Sequence, residues 1–152
     1  MTKIGFDFGK TIGEIEEDQP YPQCFETLTM FIRKLGADRV YIISKAKTEM
    51  KEKITEWLTT QNFFTTTGFH RDNMYFVEEY SEKRVLVDKL QINIFVDDSV
   101  KVVRYLVDSP HINKVVWFRG DTRLLKEISG KYREKVIISN HWNKLHKLVE
   151  FF

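Results

Sequence analysis

Two stretches of this chain end apolar runs in carboxylates. The first is Lys3-Ile4-Gly5-Phe6-Asp7-Phe8-Gly9-Lys10-Thr11, where Asp7 leads into a glycine-containing turn, and the second is Ile92-Asn93-Ile94-Phe95-Val96-Asp97-Asp98-Ser99, which closes on an adjacent acidic pair. If both runs are strands of one parallel sheet, their C-terminal ends share an edge, and open α/β folds bind ligands there. A divalent cation and a phosphate suit an edge of that kind.

The elements that must carry these residues are legible from periodicity. Strand-like runs cover Ile4 to Phe8, Val40 to Ile43, Met74 to Val77, Ile92 to Val96, Val115 to Phe118 and Val136 to Ile138. Between them Cys24, Leu28, Phe31 and Leu35 repeat at helical spacing, with Gly36 placed to stop the helix. Met50, Ile54, Trp57 and Leu58 form a second stripe. Ser81 is the expected cap of a third helix holding Leu86 and Leu90, and Ser99 of a fourth holding Val103 and Leu106. Trp142, Leu145 and Leu148 mark a last helix. Strands alternating with helices predict a single α/β domain over residues 1–152, a Rossmann-like parallel sheet with helices on both faces. The least regular segment, Gly13 to Gln23, is acidic and broken by Pro20 and Pro22.

Composition narrows the class. A formal net charge of +2, without a long run of one sign, offers no footprint for nucleic acid or a membrane surface. Cys24 is the single cysteine, which excludes an internal disulfide and an intrachain thiolate metal cluster. The first residues read as strand rather than signal core, and no apolar run reaches membrane-spanning length, so a cytoplasmic protein is expected.

Ser44 closes the run Val40-Tyr41-Ile42-Ile43, and Lys83 lies early in the third helix. Asp7, Ser44, Lys83 and Asp97-Asp98, in that order, resemble the haloacid dehalogenase (HAD) superfamily, whose usual members are magnesium-dependent phosphohydrolases. The likeness extends from about Lys3 to Leu106, and Lys83-x5-Lys89-Leu90-x-Ile92-x2-Phe95-Val96-Asp97-Asp98 is similar to a pattern of small HAD-like proteins. The resemblance implies a phosphatase or phosphotransferase in which Asp7 attacks phosphorus and becomes an aspartyl-phosphate. Mg²⁺ would be held by Asp7, the Gly9 carbonyl and one of Asp97 or Asp98. Ser44 and Lys83 would bind the transferring phosphoryl group, with Lys10 and Thr11 as further phosphate contacts.

The chain also departs from that pattern. Most HAD phosphatases carry a second aspartate two residues after the nucleophile, as general acid and base, and here that position is Gly9. Its loss typically costs on the order of 10²- to 10⁴-fold, least for good leaving groups. The alternative reading is therefore a catalytically impaired module that binds metal and phosphate or scaffolds a partner. Glu14 and Glu16, which could supply an acid, read first as a solvated acidic loop. The intervals Asp7 to Ser44 and Ser44 to Lys83 each hold only a loop, a helix and a strand, so no large cap domain is expected. By analogy an open site of this type takes a macromolecular phosphorylated substrate or a partner subunit as its lid.

Other motifs fit less well. Gly5-x3-Gly9-Lys10-Thr11 is one residue short of a Walker A loop and would put Asp7 inside the phosphate cradle. His141 and His146 are not at the spacing that aligns two metal ligands on a helix, and His70 and His111 fall in loops. Trp57, Trp117 and Trp142 read as core, and Phe63-Phe64 with Thr65 to Thr67 as a connecting loop.

Overall fold

The computed structural model describes all 152 residues. Six strands form one sheet in the order β3-β2-β1-β4-β5-β6, and every pair is parallel. They are β1 (Ile4–Phe6), β2 (Val40–Lys45), β3 (Met74–Val77), β4 (Ile94–Asp97), β5 (Lys114–Phe118) and β6 (Val136–Ser139). The sheet is the Rossmann order, with β1 central between the strands that end near Ser44 and at Asp97. Residues β1 and β4 bury on both faces, which is why they read as unbroken apolar runs.

Helices α1 (Cys24–Leu35), α2 (Thr48–Thr60) and α3 (Phe63–Thr67) cover one face together with the C-terminal turns Trp142–Phe151. Helices α4 (Tyr80–Leu90) and α5 (Val100–Leu106) cover the other. Phe6 anchors the first core, stacked between Phe31 at 6.0 Å and Trp142 at 5.4 Å. Gly5 faces the second core, where a Cβ would lie 2.7 Å from the Phe95 ring, so only glycine lets β4 pack this close. Gly36 ends α1 as read, at φ 97° with its N–H donating to the Ile32 carbonyl at 2.8 Å.

Several boundaries differ from the expectation, each for a traceable reason. β1 stops at Phe6 because the Phe8 carbonyl folds back to accept from the N–H groups of Thr11, Ile12 and Gly13. β4 starts at Ile94 because the Ile92 N–H is spent on the Val87 carbonyl at the end of α4. Glu79, not Ser81, caps α4: its side chain takes the Glu82 N–H while Glu82 returns a bond to the Glu79 N–H at 2.9 Å, a reciprocal capping box. Phe63 to Thr67 is a short helix rather than a plain loop, pinned by Phe63 against Phe25 at 5.1 Å. The last element is 3₁₀ rather than α, which suits Trp142, Leu145 and Leu148 because three-residue spacing stacks on one side of a 3₁₀ helix. No further folded unit is inserted between the strands, and no helix is long and apolar enough to cross a membrane.

Candidate active site

The carboxyl ends of β1, β2 and β4 converge with the first turn of α4. Asp7, Ser44, Lys83 and Asp97 are all at least nine-tenths buried, so each needs a partner to offset the loss of water. Lys83 supplies most of it. Its Nζ donates to Asp7 Oδ1 at 2.9 Å and to Asp97 Oδ2 at 2.8 Å, joining β1 to β4 through α4. A cation in the first turn of a helix opposes the helix dipole, so these carboxylates rather than α4 hold it there. Burial works against the ammonium, but Asp7 and Asp97 more than offset it and its pKa stands above the ordinary lysine value.

Three carboxylates share this single buried ammonium. Oxygens of Asp7, Asp97 and Asp98 all lie within 4.8 Å of one another. Burial first, and then the Asp7 charge, push Asp97 up to about 7 and Asp98 up to about 6. Asp97 Oδ1 accepts the Ser99 N–H at 3.0 Å and Oδ2 accepts from Lys83, so both its oxygens favour the anion, whereas Asp98 is set against Asp7. The excess negative charge calls for a proton or a cation, and a set of hard oxygen donors suits magnesium, calcium or manganese. Asp98 is the freer ligand of the acidic pair, because Asp97 is occupied in holding Lys83 and the Ser99 turn.

Asp7, Gly9, Lys10, Ser44, Asp97 and Asp98 line one cavity of about 250 Å³. Lys45, Tyr80 and Ser99 complete its wall. Sequence reasoning missed Lys45 and Tyr80. Lys45 could have been found as the cation next to Ser44, while Tyr80, over whose ring Lys45 Nζ sits at 4.3 Å, leaves no local signal. Thr11 is not brought into this cavity: its hydroxyl is buried without a hydrogen-bond partner, because the turn at Phe8 directs it into the core. Glu14 is half-buried and lines the adjoining cavity with Lys10 and Asp98, whereas Glu16 is exposed and lines neither.

The three tryptophans do more than fill the core. Trp142 donates its indole N–H to the Thr11 carbonyl at 2.7 Å, Trp57 to the Glu17 carbonyl at 2.8 Å, and Trp117 to the Asp98 carbonyl at 3.1 Å. The loops that follow β1 and β4 are thus tied to the core by indoles. Each such bond is worth about 1 kcal/mol and fixes main chain that no ladder reaches.

No family model matches this chain. Over 91 residues it is 29% identical to a Bacillus cereus protein whose curated name is "Putative nucleotidase", a match that takes in 60% of this chain and 45% of the relative. The chain therefore matches less than half of that relative's length. A de novo designed Rossmann 3x3 protein solved by solution NMR superposes with a TM-score of 0.57 at 16% identity, covering 99% of this chain and 94% of the design. That likeness establishes a Rossmann-like α/β fold.

Proposed function

We propose that this chain is a magnesium-dependent phosphohydrolase of HAD type, acting on phosphomonoesters through an aspartyl-phosphate at Asp7. The observation that carries the reading is the buried bridge from Lys83 to Asp7 and Asp97, set beside Asp98 and Ser44 in one cavity at the sheet edge. The similarity to a protein called a nucleotidase supports phosphoester chemistry and nominates nucleotides among the esters to try.

In this reading an Asp7 oxygen attacks phosphorus, the bond to the leaving oxygen breaks, and water then cleaves the aspartyl-phosphate to free phosphate and restore the carboxylate. Lys83 fixes Asp7 in place and lies against the developing negative charge. The Ser44 hydroxyl donates to a phosphoryl oxygen, and Lys10, which lines the same cavity, adds a further cation there. Mg²⁺, held by Asp7, Asp98 and the Gly9 carbonyl, would screen the approach of one anion to another. No carboxylate stands at position 9, so alkoxide leaving groups depart with little help.

The test is magnesium-dependent hydrolysis of p-nitrophenyl phosphate beside an alkyl phosphate, with Asp7→Asn and Gly9→Asp variants. A Cβ at Gly9 meets nothing within 4 Å, so an aspartate side chain starts into open space there. Turnover of the nitrophenyl ester that requires magnesium and Asp7, with a gain of about 10- to 10³-fold on the alkyl ester in Gly9→Asp, is expected. No turnover of either ester by protein that binds magnesium would point to a metal- and phosphate-binding module instead.

A further inference from the structure

A second cavity of about 330 Å³ adjoins the first and shares Lys10 and Asp98 with it. Glu14, Phe118, Arg119 and Tyr21 complete its lining. Arg119 and Tyr21, with Glu14, also line a third cavity of about 490 Å³ bounded by the Gly13 to Pro22 loop. Arg119 and Tyr21 therefore stand one compartment away from the reacting phosphoryl group, with room beyond them.

The pair is built rather than loose. Tyr21 packs its ring edge-on to buried Phe118 at 6.0 Å, and its main-chain N–H donates to the Ile12 carbonyl at 3.0 Å. Arg119 follows β5 in the left-handed region at φ 57°, a conformation that disfavours a non-glycine residue, and its N–H donates to the Ser139 carbonyl at 2.7 Å. The guanidinium Nη1 donates to the Tyr21 hydroxyl at 3.1 Å and lies 5.4 Å from the ring centroid. Glu14 and Asp98 line the same cavity, yet Arg119 forms an ion pair with neither. Most of its five N–H donors are thus unclaimed, in a fork suited to a carboxylate or phosphate. Lys83 cannot serve a second anion, because its charge is taken by Asp7 and Asp97.

We infer that Arg119, braced by Tyr21, anchors a second anionic group of the substrate, so that the chain prefers phosphomonoesters whose leaving group carries its own carboxylate or phosphate. The inference rests on the phosphohydrolase reading for its substrate, but the anchor can be tested apart from turnover. A charge-assisted forked contact at this exposed guanidinium favours such esters by about tenfold.

The experiment compares kcat/KM for phenyl phosphate with that for its 3-carboxy and 3-phosphono derivatives, in the wild type, Arg119→Met, Arg119→Lys and Tyr21→Phe. Differences in leaving-group acidity are common to all four proteins and cancel when the preference ratios are compared. The expected wild-type preference of about tenfold falls to near one in Arg119→Met and is partly kept in Arg119→Lys. Tyr21→Phe, which retains the ring but removes the acceptor, weakens it about twofold to threefold. The carboxy and phosphono arms show which anion the fork selects. A ratio that Arg119→Met leaves unchanged overturns the inference. Absence of turnover on all three esters would sink the hydrolase reading alone, and calorimetric binding of the same esters with magnesium then decides the anchor: tighter binding of the esters with an anionic tail, lost in Arg119→Met, upholds it, and equal binding refutes it.

Discussion

Replacing Lys83 by methionine removes the one buried cation of the site while nearly preserving the volume of its side chain. The Lys83 and Asp97 side chains are each 1% exposed and that of Asp7 is 11% exposed, so the substitution leaves two charges with almost no access to water. Breaking a buried pair in this way costs about 3–5 kcal/mol. The partial exposure of Asp7 moves the expectation to about 4 kcal/mol at pH near 8 in metal-free protein. The pH dependence has a definite sign. Asp97 and Asp98 stand at about 7 and about 6 in the fold against 3.8 ordinarily, so between those limits the folded chain binds more protons than the unfolded one. The cluster's contribution to stability is therefore greatest below the ordinary value and declines as pH rises through the window. Without the ammonium the decline steepens, and the Lys83→Met penalty is about half as large near pH 5 as near pH 8. Urea unfolding followed by tryptophan fluorescence at the two pH values measures it, and added magnesium should recover part of the loss at the higher pH. A penalty below about 1 kcal/mol at both, the size of a solvated surface pair, would refute the claim that this bridge is desolvated. So would a penalty that grows on acidification.

Three further outcomes follow from single contacts. Trp142→Phe keeps the stack on Phe6 but removes the donor to the Thr11 carbonyl, and a loss of about 1–2 kcal/mol in urea melts is expected. A loss near zero would mean that water takes the place of the indole. Thr11→Val exchanges a buried hydroxyl without a partner for a methyl group and should be neutral or stabilising by up to about 1 kcal/mol, with phosphatase turnover retained. Collapse of turnover would return the Thr11 hydroxyl to the phosphate. Glu79→Ala should cost about 1 kcal/mol through the capping box, while Ser81→Ala, at an exposed position, should change stability by less than about 0.5 kcal/mol. Chemical denaturation of the two variants side by side gives the order, and the reverse order would restore Ser81 as the cap.

How much of this was legible in the sequence depends on how local each feature is. The interior strands could be read because burial on both faces demands an uninterrupted apolar run, and a polar residue that ends such a run can only sit at the sheet edge. Asp7, Ser44 and Asp97 were visible for that reason. Lys83 is different, since only its place in an ordered set singled it out; its role as a bridge needs both Asp7 and Asp97 across the fold. Where strands begin and end was decided by bonds that pattern does not encode, such as the Phe8 carbonyl turning back on Thr11 to Gly13. Hydropathy showed that Trp57, Trp117 and Trp142 would be buried and was silent on where their N–H groups would arrive.

Those arrivals bear on how the site holds together. Asp7, Asp97 and Asp98 repel one another where β1 and β4 give way to their loops, and Lys83 alone cannot balance three carboxylates. An unsupported loop would relieve the repulsion by moving the carboxylates apart, and the site would lose the geometry needed to hold a cation. The indole bonds of Trp117 to the Asp98 carbonyl and of Trp142 to the Thr11 carbonyl oppose that movement from the core side. Their energies are small beside the charge repulsion in a dry interior, but the acidic pair can take up a proton near neutrality or a cation, which lowers what the straps must resist. The fold thus keeps the carboxylates together by combining a buried cation, main chain tied from below, and a charge deficit left for a ligand to fill.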